Sequence, residues 1–380
     1  MNNQSARMMK FRTGNQMIAE GAIAAGCRFF AGYPITPASG IYKSMIELLQ
    51  QRGDVAVSAP DEISALAYCV GASMRGYKAM TATSGPGWAL MIETVQYALM
   101  TETPLVIAMV QRLGPCTGGA TQGAQGDILL TEYCTSGGYT IPVLCASTAA
   151  ECYELTQVAF TWAEQLRTPV VILSDKETGM TSESVNYNTL HSPPIFNRIY
   201  SSAQKNENKF KTYNFENRWY IPEFAEVGGS QKVTATGSEH NKEGALKKND
   251  TETLEVLLHL EEKITHRKDE LSIVKYDEQN DATTLVISFG ITARTMNEAV
   301  RSVRRKGKKV SSMNIISLFP IPEKAIVHAI RNVRRIIIAE ENLNGQYRSV
   351  IAPLLNGKEI IGVNKIGSMI TPNAIEVHID

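Results

Sequence analysis

Along the first ~195 residues, short apolar runs alternate with segments of helical period, the rhythm of an α/β chain. The pattern predicts a helix over 14–25, a buried strand over 27–32, a loop over 33–40 and a helix over 41–50. The loop follows from Pro34 and Pro37, neither of which can donate to a backbone ladder. The cycle repeats with a strand over 54–58, a helix over 61–74, a strand over 78–83, a turn at SGPGW and a helix over 91–100. Strands over 105–111 and 168–173 are apolar almost throughout, as in a parallel sheet covered on both faces. A doubly wound α/β domain is expected.

From about 193 to 275 the chain turns polar, with Asn- and Lys-rich runs such as QKNENKFK and a charged helix predicted over 255–267. This stretch reads as a linker with a decorating excursion. A second α/β pattern follows: strand 284–289, helix 292–306, strand 309–316, helix 322–332, strand 335–339, helix 347–355 and a terminal strand 359–366. The expected organisation is a domain over 1–195, an insertion over 196–275 and a domain over 276–380.

Composition narrows the classes of function. The 380 residues are 43% hydrophobic and 20% charged, enough to bury a large core. Thirty-eight basic and thirty-eight acidic residues balance, so nothing draws the whole chain to nucleic acid or anionic membrane. No apolar stretch is long enough to span a bilayer, and the N-terminal residues lack the pattern of a secretory signal. A cytoplasmic enzyme is expected. The six cysteines contain no CxxC or CxxxC, so neither a structural zinc nor an iron–sulfur cluster is expected on this chain. Five read as buried small hydrophobes. Cys116 sits in a Gly-rich loop and stays open.

Four loops fall where strands give way to helices, the edge at which open α/β sheets bind ligands. In YPITP, Thr36 offers a hydroxyl beside a helix N-terminus, or simply caps that helix. In PDEISAL, Glu62 stands in the first turn of a helix, where the macrodipole alone would favour a carboxylate. TSGPGWALM carries a Gly-Pro-Gly corner that lets backbone approach something closely. In VQRLGPCTGGATQGAQGD, Arg112 ends a strand; it can clamp a carboxylate or form a local ion pair, for example with Glu102.

In order and spacing, GNQMIAEGAIAAGCRFFAGYPITPAS, DEISAL, AMTATSGPGWALM and QRLGPCTGG…QGD resemble the α subunit of 2-oxoacid:ferredoxin oxidoreductases. ATGSEHNKEG and the charged helix resemble the insertion of the 2-oxoglutarate-type α subunits. SFGITARTMNEAV, ISLFPIP and IIIAEENLNGQYRSVI resemble their transketolase-C-like second domain. The resemblance therefore implies a thiamine-diphosphate pyrimidine-type domain followed by a transketolase-C-like domain. GPCTGGAT stands where the family usually reads GPSTGLPT, which leaves the local shape of the substrate and coenzyme A pocket open.

By this resemblance Glu62 hydrogen-bonds N1′ of the thiamine diphosphate aminopyrimidine, and Gly85, Pro86 and Gly87 belong to the same cofactor contact. Thr36 and Arg112 bind the 2-oxoacid carboxylate, with Tyr33 and Ile35 of the same loop assisting. The two Gly-Asp pairs, Gly53-Asp54 and Gly126-Asp127, are not followed by the glycine of a GDG diphosphate motif. Mg2+, the diphosphate grip and a [4Fe-4S] cluster are thus expected on a partner β subunit, in a heterodimer or heterotetramer that passes electrons to ferredoxin. Coenzyme A would be the co-substrate and 2-oxoglutarate the 2-oxoacid, with 2-oxoisovalerate or pyruvate as alternatives. A non-catalytic α/β scaffold and a transketolase-like transferase are the readings from other classes.

Overall fold

The computed structural model describes residues 8–202 and 210–379. A seven-stranded sheet forms the first layer, in the order β12-β6-β7-β5-β4-β2-β3. Its strands are β2 (Phe29–Gly32), β3 (Val55–Ser58), β4 (Ala79–Thr83), β5 (Leu105–Gln111), β6 (Val143–Cys145), β7 (Pro169–Asp175) and β12 (Ser317–Phe319). All pair in parallel except β12, which runs antiparallel to β6. Every residue of β4, β5 and β7 is buried, because helices cover both faces.

Those helices are α1 (Gly14–Ala24), α2 (Ser39–Arg52), α3 (Glu62–Met74), α4 (Gly85–Met100), α5 (Ile128–Glu132) and α6 (Ala149–Leu166). The elements predicted in the first domain are observed to within a few residues, with one change of type, while α5, β6 and α6 were not among the predictions. SGPGW, expected as a turn, is the start of α4: Ser84 takes the N-cap position, and Pro86 sits where the first-turn N–H groups need no helical partner. An antiparallel ribbon of β1 (Met9–Thr13) and β8 (Ser182–Asn186), with the short α7 (Lys176–Met180) before β8, flanks the sheet.

The polar stretch is pinned to the first domain by buried charge. Its helix α8 (Thr251–Thr265) begins four residues before the expected start and buries Val256, His259, Leu260, Lys263 and Ile264 on one stripe. Lys263 Nζ and His259 Nε2 donate to the same oxygen of Glu102, at 2.9 and 3.1 Å, and all three side chains are fully buried. Arg167, also buried, donates to the carbonyls of Thr212, Pro222 and Glu223 in the excursion. Removing either partner of such a pair would strand an uncompensated charge.

The second sheet runs β14-β13-β10-β11-β9, from β9 (Val274–Asp277), β10 (Thr284–Ser288), β11 (Ser311–Ile315), β13 (Arg335–Glu340) and β14 (Glu359–Asn364). Helices α9 (Thr292–Arg305), α10 (Glu323–Ile330), α11 (Gln346–Ile351) and α12 (Pro372–Glu376) pack around it. The strand expected over 309–316 ends at Ile315, and two residues later β12 has joined the first sheet. The two sheets consequently share a core, in which Leu285, Ile287 and Phe289 lie with Met109, Cys145 and Leu173. Among the described residues no helix is long and apolar enough to cross a membrane.

Candidate active site

Four adjacent parallel strands, β5, β4, β2 and β3, send their C-terminal ends to one edge of the first sheet. The loops leaving them carry every residue singled out above. After β3, Asp61 caps α3 by accepting from the Ser64 N–H at 2.7 Å, and that contact holds its carboxyl below the usual range. The capping role is thus filled, yet Glu62 follows and is only 6% exposed. A carboxylate kept only for the helix dipole has no reason to leave water.

Glu62 lies against the Gly-Pro-Gly corner. A Cβ on Gly87 would stand 2.7 Å from Glu62 Oε1 and 2.2 Å from Thr83 Oγ1. A Cβ on Gly85 would stand 2.7 Å from Asp127 Oδ1. Both glycines are therefore required by close approach, and they bring the start of α4 between two carboxyl groups. Burial pushes Asp127 up to about 6, opposed by the charge of Arg112.

Arg112 continues from β5 and is 6% exposed. Its Nη1 donates to the Thr36 carbonyl. The ion pair with Glu102 weighed from sequence does not form, since Glu102 is held by Lys263 and His259. Nor does Thr36 cap α2: the N-cap position is Ala38, and no side chain caps that helix. The buried Asn15 donates from Nδ2 to the Pro37 carbonyl at 2.8 Å, so consecutive carbonyls of the YPITP loop are tied by Arg112 and Asn15. Tyr33 is exposed and Ile35 packs against the core beside α1 and α2.

A cavity of about 450 Å³ opens beside this constellation. Gly85, Pro86, Arg112 and Asp127 line one side, the loop 113–116 another, and Asn342, Leu343 and Gln346 of the second domain a third. Arg112 Nε and Asp127 Oδ2, on residues that line it, and Ser84 Oγ and Gln111 Nε2, on the chain neighbours of lining residues, are buried without a hydrogen-bond partner. Orphaned polar atoms are costly in a finished core and are what a ligand's own polar groups would satisfy.

The second domain's share in the cavity was not legible beforehand. Gln125, fully buried, holds the junction: its Nε2 donates to the Phe289 carbonyl at 3.0 Å, and its Oε1 accepts from Thr292 Oγ1 and the Glu341 N–H. Gln346 then donates to the Gly126 carbonyl at 2.8 Å and accepts from the Leu129 N–H at 3.1 Å. QGAQGD and ENLNGQ thus meet as the two halves of one wall. Asn15 and Gln125 carry no sequence pattern of their own beyond the motifs that contain them.

Residues 20–279 match the thiamine diphosphate-binding family model of the pyruvate flavodoxin/ferredoxin oxidoreductases, and residues 282–375 match core domain II of pyruvate:ferredoxin oxidoreductase. The chain belongs to this oxidoreductase family. Within it, the chain is 37% identical over 363 residues to the 2-oxoglutarate synthase subunit KorA of Methanocaldococcus jannaschii, covering 94% of this chain and 95% of that one. KorA of Archaeoglobus fulgidus is 34% identical, with 97% of each chain covered. The 2-oxoglutarate:ferredoxin oxidoreductase of Magnetococcus marinus, solved with 2-oxoglutarate, coenzyme A and succinyl-CoA, superposes with a TM-score of 0.90 at 29% identity. That comparison covers 97% of this chain and 64% of the other, so this chain spans under two thirds of the solved one. An inactive β4 tetramer of a split-gene transketolase, 13% identical with a TM-score of 0.56, shares the fold alone. The α/β architecture expected from sequence, a thiamine diphosphate-type domain followed by a second α/β domain, is the one observed.

Proposed function

We propose that this chain is the α subunit of a 2-oxoglutarate:ferredoxin oxidoreductase, which converts 2-oxoglutarate and coenzyme A to succinyl-CoA and CO2 while reducing ferredoxin. The observation that carries the reading is the buried Glu62 carboxyl pressed against Gly87 at the strand ends, beside a cavity lined by Arg112. Thiamine diphosphate, when bound, supplies the carbanion-stabilising chemistry that a 2-oxoacid decarboxylation needs. The residues present suit its aminopyrimidine half, because a cradle that a Cβ would fill lies directly on a buried carboxyl.

In this reading Glu62 would hydrogen-bond N1′ of the aminopyrimidine and hold a proton there, and the backbone of Gly85, Pro86 and Gly87 would belong to the same cofactor contact. Arg112, which lines the cavity, offers its guanidinium to the substrate carboxylate while Nη1 keeps the Thr36 carbonyl in place. Asn15 fixes the next carbonyl, so Tyr33, Ile35 and Thr36 act as one braced loop and not as separate contacts. The diphosphate grip, Mg2+ and an iron–sulfur cluster belong to a partner β subunit, through which electrons reach ferredoxin. Relatives named as subunit alpha, among them two from Aeropyrum pernix, support a multi-chain assembly.

The test is turnover of the reconstituted complex with a panel of 2-oxoacids, reading coenzyme A-dependent reduction of ferredoxin. Highest kcat/KM with 2-oxoglutarate is expected. Preference for pyruvate or 2-oxoisovalerate would overturn the substrate assignment, and no coenzyme A-dependent reduction with any 2-oxoacid would overturn the reaction.

A further inference from the structure

Converting a 2-oxoacid anion and the coenzyme A thiol to a thioester and CO2 leaves two electrons and one proton, and that proton is the thiol's. Neither Glu62 nor Arg112, in the roles given them, takes it up. Of the residues that line the cavity, Arg112, Cys116 and Asp127 carry titratable groups, and Asp127 the one carboxyl. A guanidinium accepts no proton, and a thiolate at Cys116 has no advantage over the thiol it would deprotonate. The second domain's part of the wall, Asn342, Leu343 and Gln346, does not titrate.

Asp127 is held in place and otherwise unemployed. It stands at the N-cap position of α5, yet its side chain makes no capping hydrogen bond. It is half-buried, and its Oδ2 has no partner. A Cβ on Gly85 would lie 2.7 Å from Oδ1 and 3.0 Å from Oδ2, so both carboxyl oxygens rest against the first residue of α4. Glu62 meets the same corner from the Gly87 side. The backbone beneath Asp127 is braced: its N–H donates to Gln111 Oε1 at 3.2 Å, and the Gly126 carbonyl accepts from Gln346 at 2.8 Å. Burial pushes Asp127 up to about 6 against the charge of Arg112. Near neutral pH it is therefore ionised and poised to take a proton.

We propose that Asp127 is the general base that takes the proton from the coenzyme A thiol. The inference rests on the function proposed for the chain, in which coenzyme A must bring its sulfur to the corner where cofactor and substrate meet. The S–H bond breaks as an O–H bond forms on the Asp127 carboxylate. The electron pair left on sulfur makes the C–S bond of the thioester. The two electrons of the oxidation pass to ferredoxin, as that reaction already requires, and Asp127 returns its proton to solvent before the next turnover.

The test is Asp127→Asn in the assembled α/β complex. Its coenzyme A-dependent turnover at pH 7 should fall by about two to four decades, the usual worth of general base assistance. Release of CO2 from 2-oxoglutarate in a single turnover without coenzyme A should fall far less. Calorimetry should show that the variant still binds coenzyme A. Its residual turnover should climb about tenfold per pH unit towards pH ~8.5, the range of a free thiol, because only thiolate formed in solution can react. The wild-type complex should show no such climb, and Asp127→Glu, which keeps the acid, should recover part of the rate. Wild-type turnover in Asp127→Asn, equal slowing of the coenzyme A-independent half, or a loss that pH does not relieve would overturn the proposal. Coenzyme A-dependent turnover of the wild-type complex tests the oxidoreductase reading separately, so the failure of one is told from the failure of the other.

Discussion

Gly87 and Glu62 stand so close that a single methyl group on the glycine would fall 2.7 Å from the carboxylate oxygen Oε1. The same methyl group would lie 2.2 Å from Thr83 Oγ1, and both neighbours are buried on elements that cannot retreat. Gly87→Ala should therefore cost about 1–3 kcal/mol of stability through overpacking. It should also displace Glu62, lowering kcat of the assembled complex more than it raises KM. Denaturant unfolding together with steady-state kinetics checks both, and a fully active Gly87→Ala complex would remove the close approach from the functional account.

Glu62→Gln keeps the shape of the side chain and removes its acid. Because Asp61, not Glu62, caps α3, helix stability should fall by no more than about 1 kcal/mol. Exchange of the cofactor's C2 proton for deuterium in the complex should slow by about two to four decades, the usual worth of general acid–base assistance. Exchange at the wild-type rate in a folded variant would return Glu62 to a structural role.

Arg112→Ala removes a guanidinium that both faces the cavity and ties down the Thr36 carbonyl. The loss of a charge-assisted contact predicts about 1.5–3 kcal/mol in kcat/KM, or one to two decades. Lys should rescue only part of this, lacking the planar fork that can reach a carboxylate and a carbonyl together. Kinetics unchanged across every 2-oxoacid would exclude the carboxylate contact.

Lys263→Met leaves Glu102 buried with His259 as its remaining side-chain donor. Glu102 is desolvated, yet Lys263, His259 and Arg167 together hold its pKa well below the ordinary value. A broken buried pair predicts about 3–5 kcal/mol of destabilisation, concentrated where α8 docks. Hydrogen exchange should show α8 opening before the central strands. Uniform protection in the variant would mean that the charges do not hold the insertion.

Glu341, buried at the junction beside Gln125, is pushed up to about 7 by burial, with the Asp175 charge adding to the effect. The folded chain thus holds a proton that the unfolded chain releases near pH 4.5, the group's ordinary value. The stabilisation is complete below that pH and is lost as pH rises through about 7. Glu341→Gln should flatten this decline, since an amide can still accept from the Ile370 N–H and never ionises. Urea midpoints compared at pH 5 and pH 8 read the effect, and identical pH slopes for variant and wild type would sink it.

Local pattern was sufficient wherever neighbouring residues decide the outcome. The run at 105–111, apolar but for Gln111, was expected as a covered parallel strand, and it is β5 to the residue. The motif loops fell at strand ends because prolines, glycines and helix-start residues mark those ends locally. Tertiary structure decided what lies far apart in the chain. Gly85-Pro86-Gly87 reads as a turn until Glu62 and Asp127 arrive on either side, and only then does a Cβ-free helix start become the one that fits. The strand expected over 309–316 gave no sign of the change of sheet just beyond it, because nothing in its apolar pattern reveals that Ser317 pairs with Leu144 of another sheet. Gln125 and Asn15 are ordinary polar residues in sequence, and their partners lie 22 to 217 positions away. Hydrophobic period encodes which face of an element is buried. It does not encode which buried carbonyl or carboxyl a side chain will meet there, since that depends on how separate elements pack.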